Sequence, residues 1–178
     1  MANTVRVAVT RLISVDDAAA IAALVRRNRD FLAPWEPVRE ESYFTVEGQR
    51  DRIESMLGWE RHGIVLPHVI LDQDGAVQGR ITLTGIVRGP SQSCTVGYWL
   101  GESATGQGLA TRAVAELKAV AFGRLRLHRI EAGTLKHNRN SQRVLERNGF
   151  ERFGLAPNYL QIDGRWQDHV LFQVVNQP

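Results

Sequence analysis

Residues Cys94 to Thr111 read CTVGYWLGESATGQGLAT, and this stretch decides the fold. Its first part, Val96 to Leu100, is an apolar run of strand length that is rich in aromatic residues. Glycines interrupt the run between Gly101 and Gly108, and the apolar residues beyond them recur at the spacing of a buried helix face. The stretch therefore predicts a strand, a glycine turn and a helix. Such a turn directs free backbone N–H groups and the positive end of a helix dipole at one spot, whose usual occupant is a phosphate or pyrophosphate.

The whole chain has the composition of an ordinary folded protein. It has 178 residues, of which 43% are hydrophobic and 23% charged, so we expect one domain over residues 1–178 with little disorder. The net charge of +3 and the pI near 9.5 suit an anionic ligand or a ribonucleoprotein surface. We favour an ordinary solvated surface as the explanation, since like charges form no block. Without a leader or a long apolar run, we expect a cytoplasmic protein with no membrane or direct DNA partner.

Cysteine and histidine usage limits the chemistry. The single Cys94 excludes an intrachain disulfide and a multi-cysteine metal site. It could be a nucleophile or a small residue at the start of a buried strand, and the sequence does not tell whether it is exposed. The five histidines include no i,i+4 pair, so we expect no metal site.

Hydrophobic periodicity and turn residues place the remaining elements. We predict an α+β domain around a mixed, mainly antiparallel sheet flanked by helices. Between the first two helices, the prolines of Pro34 to Pro37 predict a rigid, exposed loop that carries Trp35 and Glu36. Asp163-Gly164 predicts a tight hairpin. The predicted strands are Val5–Ile13, His68–Asp72, Val77–Ile86, Arg129–Leu135, Phe150–Leu155, Tyr159–Ile162 and Arg165–Val175, and the predicted helices are Ser14–Ala33, Thr45–Gly63 and Asn138–Asn148.

Two blocks of the sequence resemble the GNAT superfamily of acetyl-CoA-dependent N-acetyltransferases. The superfamily's acyl-CoA signature, Gln/Arg-x-x-Gly-x-Gly/Ala, stands here as Thr105 to Ala110, with threonine at the first position. Its second block, Asn-x-x-Ser followed by a helix that ends in Gly-Phe, stands as Asn138 to Phe150. The resemblance implies a GNAT fold, with two splayed strands that hold the coenzyme A arm.

Three further segments narrow the resemblance to the RimJ branch of ribosomal-protein alanine N-acetyltransferases. They are Asn28 to Arg39, Val87 to Gly89 and Asn158 to Leu171. The resemblance implies direct acetyl transfer from acetyl-CoA to a protein's N-terminal amine, in a monomer or homodimer that could associate with ribosomes. Two alternatives stay open, a small-amine acetyltransferase on the same fold and a non-catalytic CoA-binding ribosome assembly factor.

The resemblance also implies a cofactor site. Residues Gly106, Gln107, Gly108, Leu109, Ala110 and Thr111 would bind the pyrophosphate, although they could form a plain glycine turn. The edge formed by Trp99 and Leu100 would hold the pantetheine arm, and the amide of Leu100 would stabilise the oxyanion. Asn138 would contact the arm and could also be a helix N-cap.

Catalytic and acceptor roles complete this set. Ser141 would protonate the leaving thiolate, unless its hydroxyl merely bonds to backbone. Related N-terminal acetyltransferases often place a glutamate where Gly133 stands, which leaves Glu131 as a candidate base or a structural residue. Trp35 and Glu36 would line the acceptor groove, or simply pack a surface loop. Residues of the last hairpin, Tyr159, Asp168 and His169, would form the other wall.

Overall fold

The structure is a computed structural model that describes residues 8–177. The strands are β1 (Thr10–Leu12), β2 (Leu66–Leu71), β3 (Val77–Val87), β4 (Ser93–Leu100), β5 (Arg129–Leu135), β6 (Glu151–Ile162) and β7 (Arg165–Val175). The α-helices are α1 (Ala18–Arg27), α2 (Arg29–Leu32), α3 (Val46–Arg61), α4 (Leu109–Phe122) and α5 (Arg139–Arg147). The first part of the predicted strand Val5–Ile13 lies outside the described residues.

The strands form a seven-stranded sheet in the order β1-β2-β3-β4-β5-β7-β6. Within residues 8–177, β4 and β5 pair in parallel and every other neighbouring pair is antiparallel. The predicted mixed, mainly antiparallel sheet flanked by helices is confirmed.

Helices cover both faces of this sheet. Residues of α4 and α5, such as Leu117 and Leu145, share a buried cluster with Ile81, Val96 and Phe172 of the sheet. On the opposite face, α1 and α3 pack over a second cluster, to which Trp99 contributes. Because side chains alternate along a strand, Tyr98 packs towards α4 and α5 while Trp99 packs towards α1 and α3.

The sheet opens between its two parallel strands. Cα pairing of β4 with β5 covers only Ser93–Thr95 against Arg129–Glu131. Beyond these residues, the facing edges of the two strands are not paired with each other, although each strand continues to its end. The result is a wedge-shaped gap near the middle of the sheet, flanked by backbone N–H and C=O groups.

The helix predicted over Ser14–Ala33 is divided. A short 3₁₀ turn precedes α1, and the helix breaks at Asn28 before α2 begins. The side chain of Asn28 is buried; its Nδ2 donates to Leu24 O at 2.8 Å and its Oδ1 accepts from Glu102 N at 2.8 Å. The hydrogen bonds of Asn28 at this break therefore connect the end of α1 to the turn that follows β4.

The last hairpin differs from prediction in one respect. The two strands predicted over Phe150–Leu155 and Tyr159–Ile162 form one strand, β6. The pairing register shifts between Ala156 and Leu160, where Asn158 has a φ of 48°, and the Asp168 carboxylate accepts from Asn158 N at 3.0 Å. This bond across the hairpin bridges the irregularity, so the strand continues. The Asp163-Gly164 turn has positive φ at both residues, which confirms the predicted tight hairpin.

Candidate active site

The glycine turn at the start of α4 has the geometry of an anion site. Gly106 and Gly108 have φ values of 75° and 74°, in the left-handed region that glycine adopts readily. The space where a Cβ would stand is open at both positions. Helix α4 begins at Leu109, and the first N–H groups of a helix lack partners within it. The predicted strand, turn and helix are confirmed.

The polar side chains of the turn bond within it. Thr105 Oγ1 donates to Glu102 O at 2.7 Å, and Gln107 Nε2 donates to Ser103 O at 2.8 Å. These contacts stiffen the turn, so an anion would be bound mainly by main-chain N–H groups. The threonine at the first signature position is therefore compatible with this role.

A cavity of about 270 Å³ lies in the gap between β4 and β5. It reaches from the α5 face of the sheet, where Asn138 and Ser141 line it, to the opposite face, where Trp35 and Glu36 line it. Its remaining lining residues are Leu32, Val96, Gly97, Tyr98, Trp99, Ala132, Gly133, Thr134, Leu135, Leu145 and His169. The structure thus brings strand β4, the segment from Asn138 to Ser141 and the proline-flanked loop to one opening through the sheet.

Ser141 forms a hydroxyl pair with Tyr98. Tyr98 Oη lies 2.9 Å from Ser141 Oγ and donates to Ser141 O at 3.2 Å. Burial raises the pKa of Tyr98 to about 12, against the opposing effect of the bond with Ser141, so the phenol is protonated at neutral pH. Tyr98 was not predicted to be the partner of Ser141. Strand alternation, which puts Tyr98 on the α5 face with Val96, is the only sequence signal for it.

Asn138 is the N-cap of α5. Its Oδ1 accepts from Ser141 N at 3.0 Å, which confirms the predicted cap. The side-chain Nδ2 has no hydrogen-bond partner within residues 8–177, and the residue lines the cavity. Asn138 can therefore cap the helix with its oxygen and donate to a ligand with its nitrogen.

Leu100 and Trp99 lie where β4 leaves β5. Gly101, just beyond β4, donates its N–H at 2.8 Å to the carbonyl of Gln78 in β3. Since successive N–H groups along a strand point in opposite directions, the amide of Leu100 points towards the gap. Trp99 lines the cavity, and its Nε1 is buried without a hydrogen-bond partner in the described part of the chain.

The proline-flanked loop contributes the wall on the α1 face. Residues Ala33–Trp35 form a 3₁₀ turn, and the ring centroids of Trp35 and His137 lie 5.4 Å apart. Glu36 Oε2 accepts from Arg39 Nε at 3.1 Å, and Glu36 O accepts from Asp163 N at 2.9 Å. The loop is therefore held both by its own ion pair and by the tip of the last hairpin.

The last hairpin contributes His169 rather than Asp168. The Asp168 carboxylate binds Asn158 N and lies 3.5 Å from Lys136 Nζ; the bond from Asn158, more than the effect of Lys136, holds the pKa of Asp168 below its usual range. Tyr159 is half-exposed and packs beside His169, with 5.6 Å between ring centroids. Of these three side chains, His169 lines the cavity.

Two other candidates lie outside the cavity. Glu131 stands at the last position of β5 that pairs with β4, and its Oε1 lies 3.5 Å from Arg129 Nη1; its role as a base stays a prediction. Cys94 is buried, and burial raises the pKa of its thiol to about 12, so the reactive thiolate is scarce at neutral pH.

No group of three or more metal-binding side chains occurs within residues 8–177. None of the helices in that range is long and apolar enough to span a bilayer.

Comparisons with known proteins agree with this geometry. The sequence model of the acetyltransferase (GNAT) domain family matches residues 6–151. The [ribosomal protein uS5]-alanine N-acetyltransferase of Escherichia coli is 36% identical over 92% of this chain and 84% of its own. A ribosomal-protein-S5-alanine acetyltransferase from Vibrio fischeri superimposes with a TM-score of 0.90, with 36% identity over 94% of this chain and 92% of its own. RimJ of Mycobacterium smegmatis, in complex with CoA-disulfide, superimposes with a TM-score of 0.89, with 34% identity over 93% and 80%.

Proposed function

Because the chain belongs to the GNAT acetyltransferase family, we propose that it transfers the acetyl group of acetyl-CoA to the N-terminal α-amine of a protein. A ribosomal protein that begins with alanine is the acceptor we favour, since two relatives that match most of the chain carry that activity in their names. A cytoplasmic location, a single catalytic domain and contact with ribosomes belong to the same proposal.

The residues present fit acetyl-CoA as the donor substrate, which supplies the reactive thioester when bound. The main-chain N–H groups from Gly106 to Thr111 would bind the pyrophosphate, because glycine lets an anion approach the backbone. The unpaired edge at Trp99 and Leu100 would bind the amides of the pantetheine arm in the manner of an added strand. Asn138 Nδ2 would donate to the same arm.

Three groups would act on the reacting atoms. The Leu100 N–H stabilises the oxyanion that forms when the amine attacks, a contribution of about 3 kcal/mol for one such donor. The Ser141 hydroxyl, backed by Tyr98, protonates the departing thiolate. Glu36 holds the acceptor ammonium at the far end of the cavity before the amine loses its proton.

An α-amine needs little help to lose that proton. With a pKa near 7.8, its deprotonation at pH 7 costs about 1 kcal/mol, whereas a lysine side chain near 10.4 costs about 4.6 kcal/mol. Cavity charge also favours a peptide over a polyamine. Among the described residues that line it, Glu36 is the only carboxylate, and Arg39 already binds it. A polycationic acceptor would require several such groups.

The observation that carries the proposal is the cavity that joins Asn138 and Ser141 on one face of the sheet to Trp35 and Glu36 on the other. The test incubates the protein with acetyl-CoA and short peptides that begin with Ala, Ser, Thr or Met, and measures the release of free thiol. We expect release with free α-amines and none with the same peptides blocked at the N-terminus. Release with lysine, polyamine or aminoglycoside acceptors alone would refute the N-terminal assignment.

A conservative variant tests the acceptor wall. Glu36→Gln keeps the shape of the side chain and removes its charge. We expect the KM for the peptide to rise about tenfold, as for the loss of about 1.4 kcal/mol of charge-assisted binding, while the KM for acetyl-CoA stays unchanged. Glu54→Gln, at an exposed position of α3 outside the cavity, is the matched control.

A further inference from the structure

His169 occupies a position that the proposed mechanism has not used. The side chain is 3% exposed and lines the cavity between β4 and β5. Its neighbours along β7, Val170 and Phe172, belong to the cluster under α4 and α5. By alternation, His169 lies on the other face of the sheet, the face of Trp35 and Glu36.

A hydrogen bond fixes the tautomer of the ring. His169 Nδ1 lies 2.9 Å from Gln167 O. Because a carbonyl oxygen can only accept, Nδ1 carries the hydrogen, and the neutral ring keeps a free lone pair on Nε2. Within residues 8–177, Nε2 has no hydrogen-bond partner and is not sealed from the cavity. The ring therefore presents a proton acceptor to the space between the strands.

The rings of His169 and Tyr159 lie over Gly133 of β5. A Cβ at this position would lie 3.7 Å from His169 Cδ2, the atom bonded to Nε2, and 3.6 Å from Tyr159 Cε1. The space over β5 is thus already occupied by two rings from the last hairpin. Tyr159 packs against His169 and limits its rotation.

We propose that His169 is the general base of acetyl transfer. This rests on the proposed function. As the amine nitrogen bonds to the acyl carbon, His169 Nε2 takes the proton that the nitrogen loses. The carbonyl re-forms and the C–S bond breaks, the sulfur takes the proton of Ser141 Oγ, and the proton on His169 Nε2 passes through water back to Ser141 Oγ. His169 on the acceptor face and Ser141 on the α5 face place the base and the acid on opposite sides of the gap.

Two isosteric variants test the base. In His169→Asn the side-chain amide can still donate to Gln167 O, but nothing replaces Nε2. In His169→Gln a polar atom stands near the Nε2 position and cannot take up a proton. With the peptide of the proposed panel that is acetylated fastest, we expect both variants to lower kcat by about 100-fold while both KM values stay within about threefold, as loss of a general base predicts.

Chemical rescue distinguishes a general base from a residue that only lines the cavity. We expect added imidazole to restore the activity of His169→Ala by about tenfold or more, since it can occupy the vacated space and accept the proton. The control is His62→Asn. His62 is exposed at the end of α3 and also lies 2.8 Å from a backbone carbonyl through Nδ1, yet it is outside the cavity. Circular dichroism and acetyl-CoA binding verify that each variant is folded.

The outcomes are distinct. If folded His169→Asn and His169→Gln keep the wild-type kcat, or only raise the KM for the peptide, His169 is a wall residue and the inference is overturned. If the wild type acetylates only small amines, the proposed function fails, and the same variants measured with that amine still decide whether His169 is the base.

Discussion

Two substitutions of Asn138 can separate the contribution of its side chain to protein stability from its contribution to ligand binding. Its Oδ1 accepts from Ser141 N at 3.0 Å, and its Nδ2 faces the cavity without a protein partner among residues 8–177. Asn138→Ala removes both groups. Asn138→Asp keeps the accepting oxygen and removes the donor. The two variants should therefore differ in stability and resemble each other in ligand binding.

The magnitudes follow from these contacts. Loss of an N-cap costs about 1 kcal/mol, because Ser141 N loses the side-chain oxygen that accepts its hydrogen bond. For a chain of this size we expect Asn138→Ala to lower the Tm by about 2–4 °C. Asn138→Asp should keep the wild-type Tm, because a carboxylate suits the helix N-terminus. Loss of the donor should weaken acetyl-CoA binding by about 3- to 10-fold in both variants.

Thermal unfolding and calorimetric titration with acetyl-CoA measure the two effects separately. The control is Asn140→Ala, in the same first turn but outside the cavity, which should change neither quantity. An Asn138→Asp protein that binds acetyl-CoA as tightly as wild type would show that Nδ2 does not contact the ligand. A wild-type Tm for Asn138→Ala would show that the cap contributes nothing to stability.

Three other predictions concern groups whose environments are equally specific. Ser141→Ala should lower kcat by about 100-fold and Tyr98→Phe by about tenfold, and the double variant should be no slower than Ser141→Ala if the hydroxyls act as a pair; steady-state kinetics decide this. Cys94, whose pKa is raised to about 12 by burial, should resist thiol reagents in the native protein at pH 8, and Cys94→Ala should keep full activity; labelling, or loss of activity, would indicate a reactive thiol. Asp17 has its pKa lowered: burial opposes ionisation, but the bonds from Arg11 outweigh it. A depressed carboxyl pKa stabilises the fold above the unfolded value of about 3.9 and loses that effect as the pH falls through the folded pKa, so urea midpoints should drop between about pH 5 and 3, and Asp17→Asn should lack that part of the drop.

Local chemistry made much of the site predictable. The positive φ at Gly106 and Gly108, the cap at Asn138 and the Asp163-Gly164 hairpin all depend on residues within a few positions of each other. Turn and cap preferences act at that range, so the strand, the turn and both helices around the cavity were confirmed close to their predicted bounds.

Contacts between distant segments were not predictable in the same way. The Tyr98–Ser141 bond spans 43 residues and depends on how β4 faces α5. The break at Asn28 depends on Glu102, which lies 74 residues away. Asp168 was predicted to line the acceptor groove. Its carboxylate accepts a hydrogen bond from Asn158 N at the irregularity of β6, and the neighbouring His169 lines the cavity. Each outcome is set by sheet order and register, which no local pattern encodes.

The short pairing between β4 and β5 affects the local stability of the free protein. Within residues 8–177, the four-stranded and three-stranded parts of the sheet are joined by three register pairs, from Ser93–Thr95 to Arg129–Glu131, and by the bonds that His128 N and Arg129 N donate to Gln92 O. A ligand that forms hydrogen bonds with both edges of the gap would take the place of a strand there and would link the two parts of the sheet. Amide hydrogen exchange beyond Thr95 should therefore be fast in the free protein, and it should become markedly slower once the donor substrate is bound. The local stability of the free enzyme is then lowest where the reaction takes place.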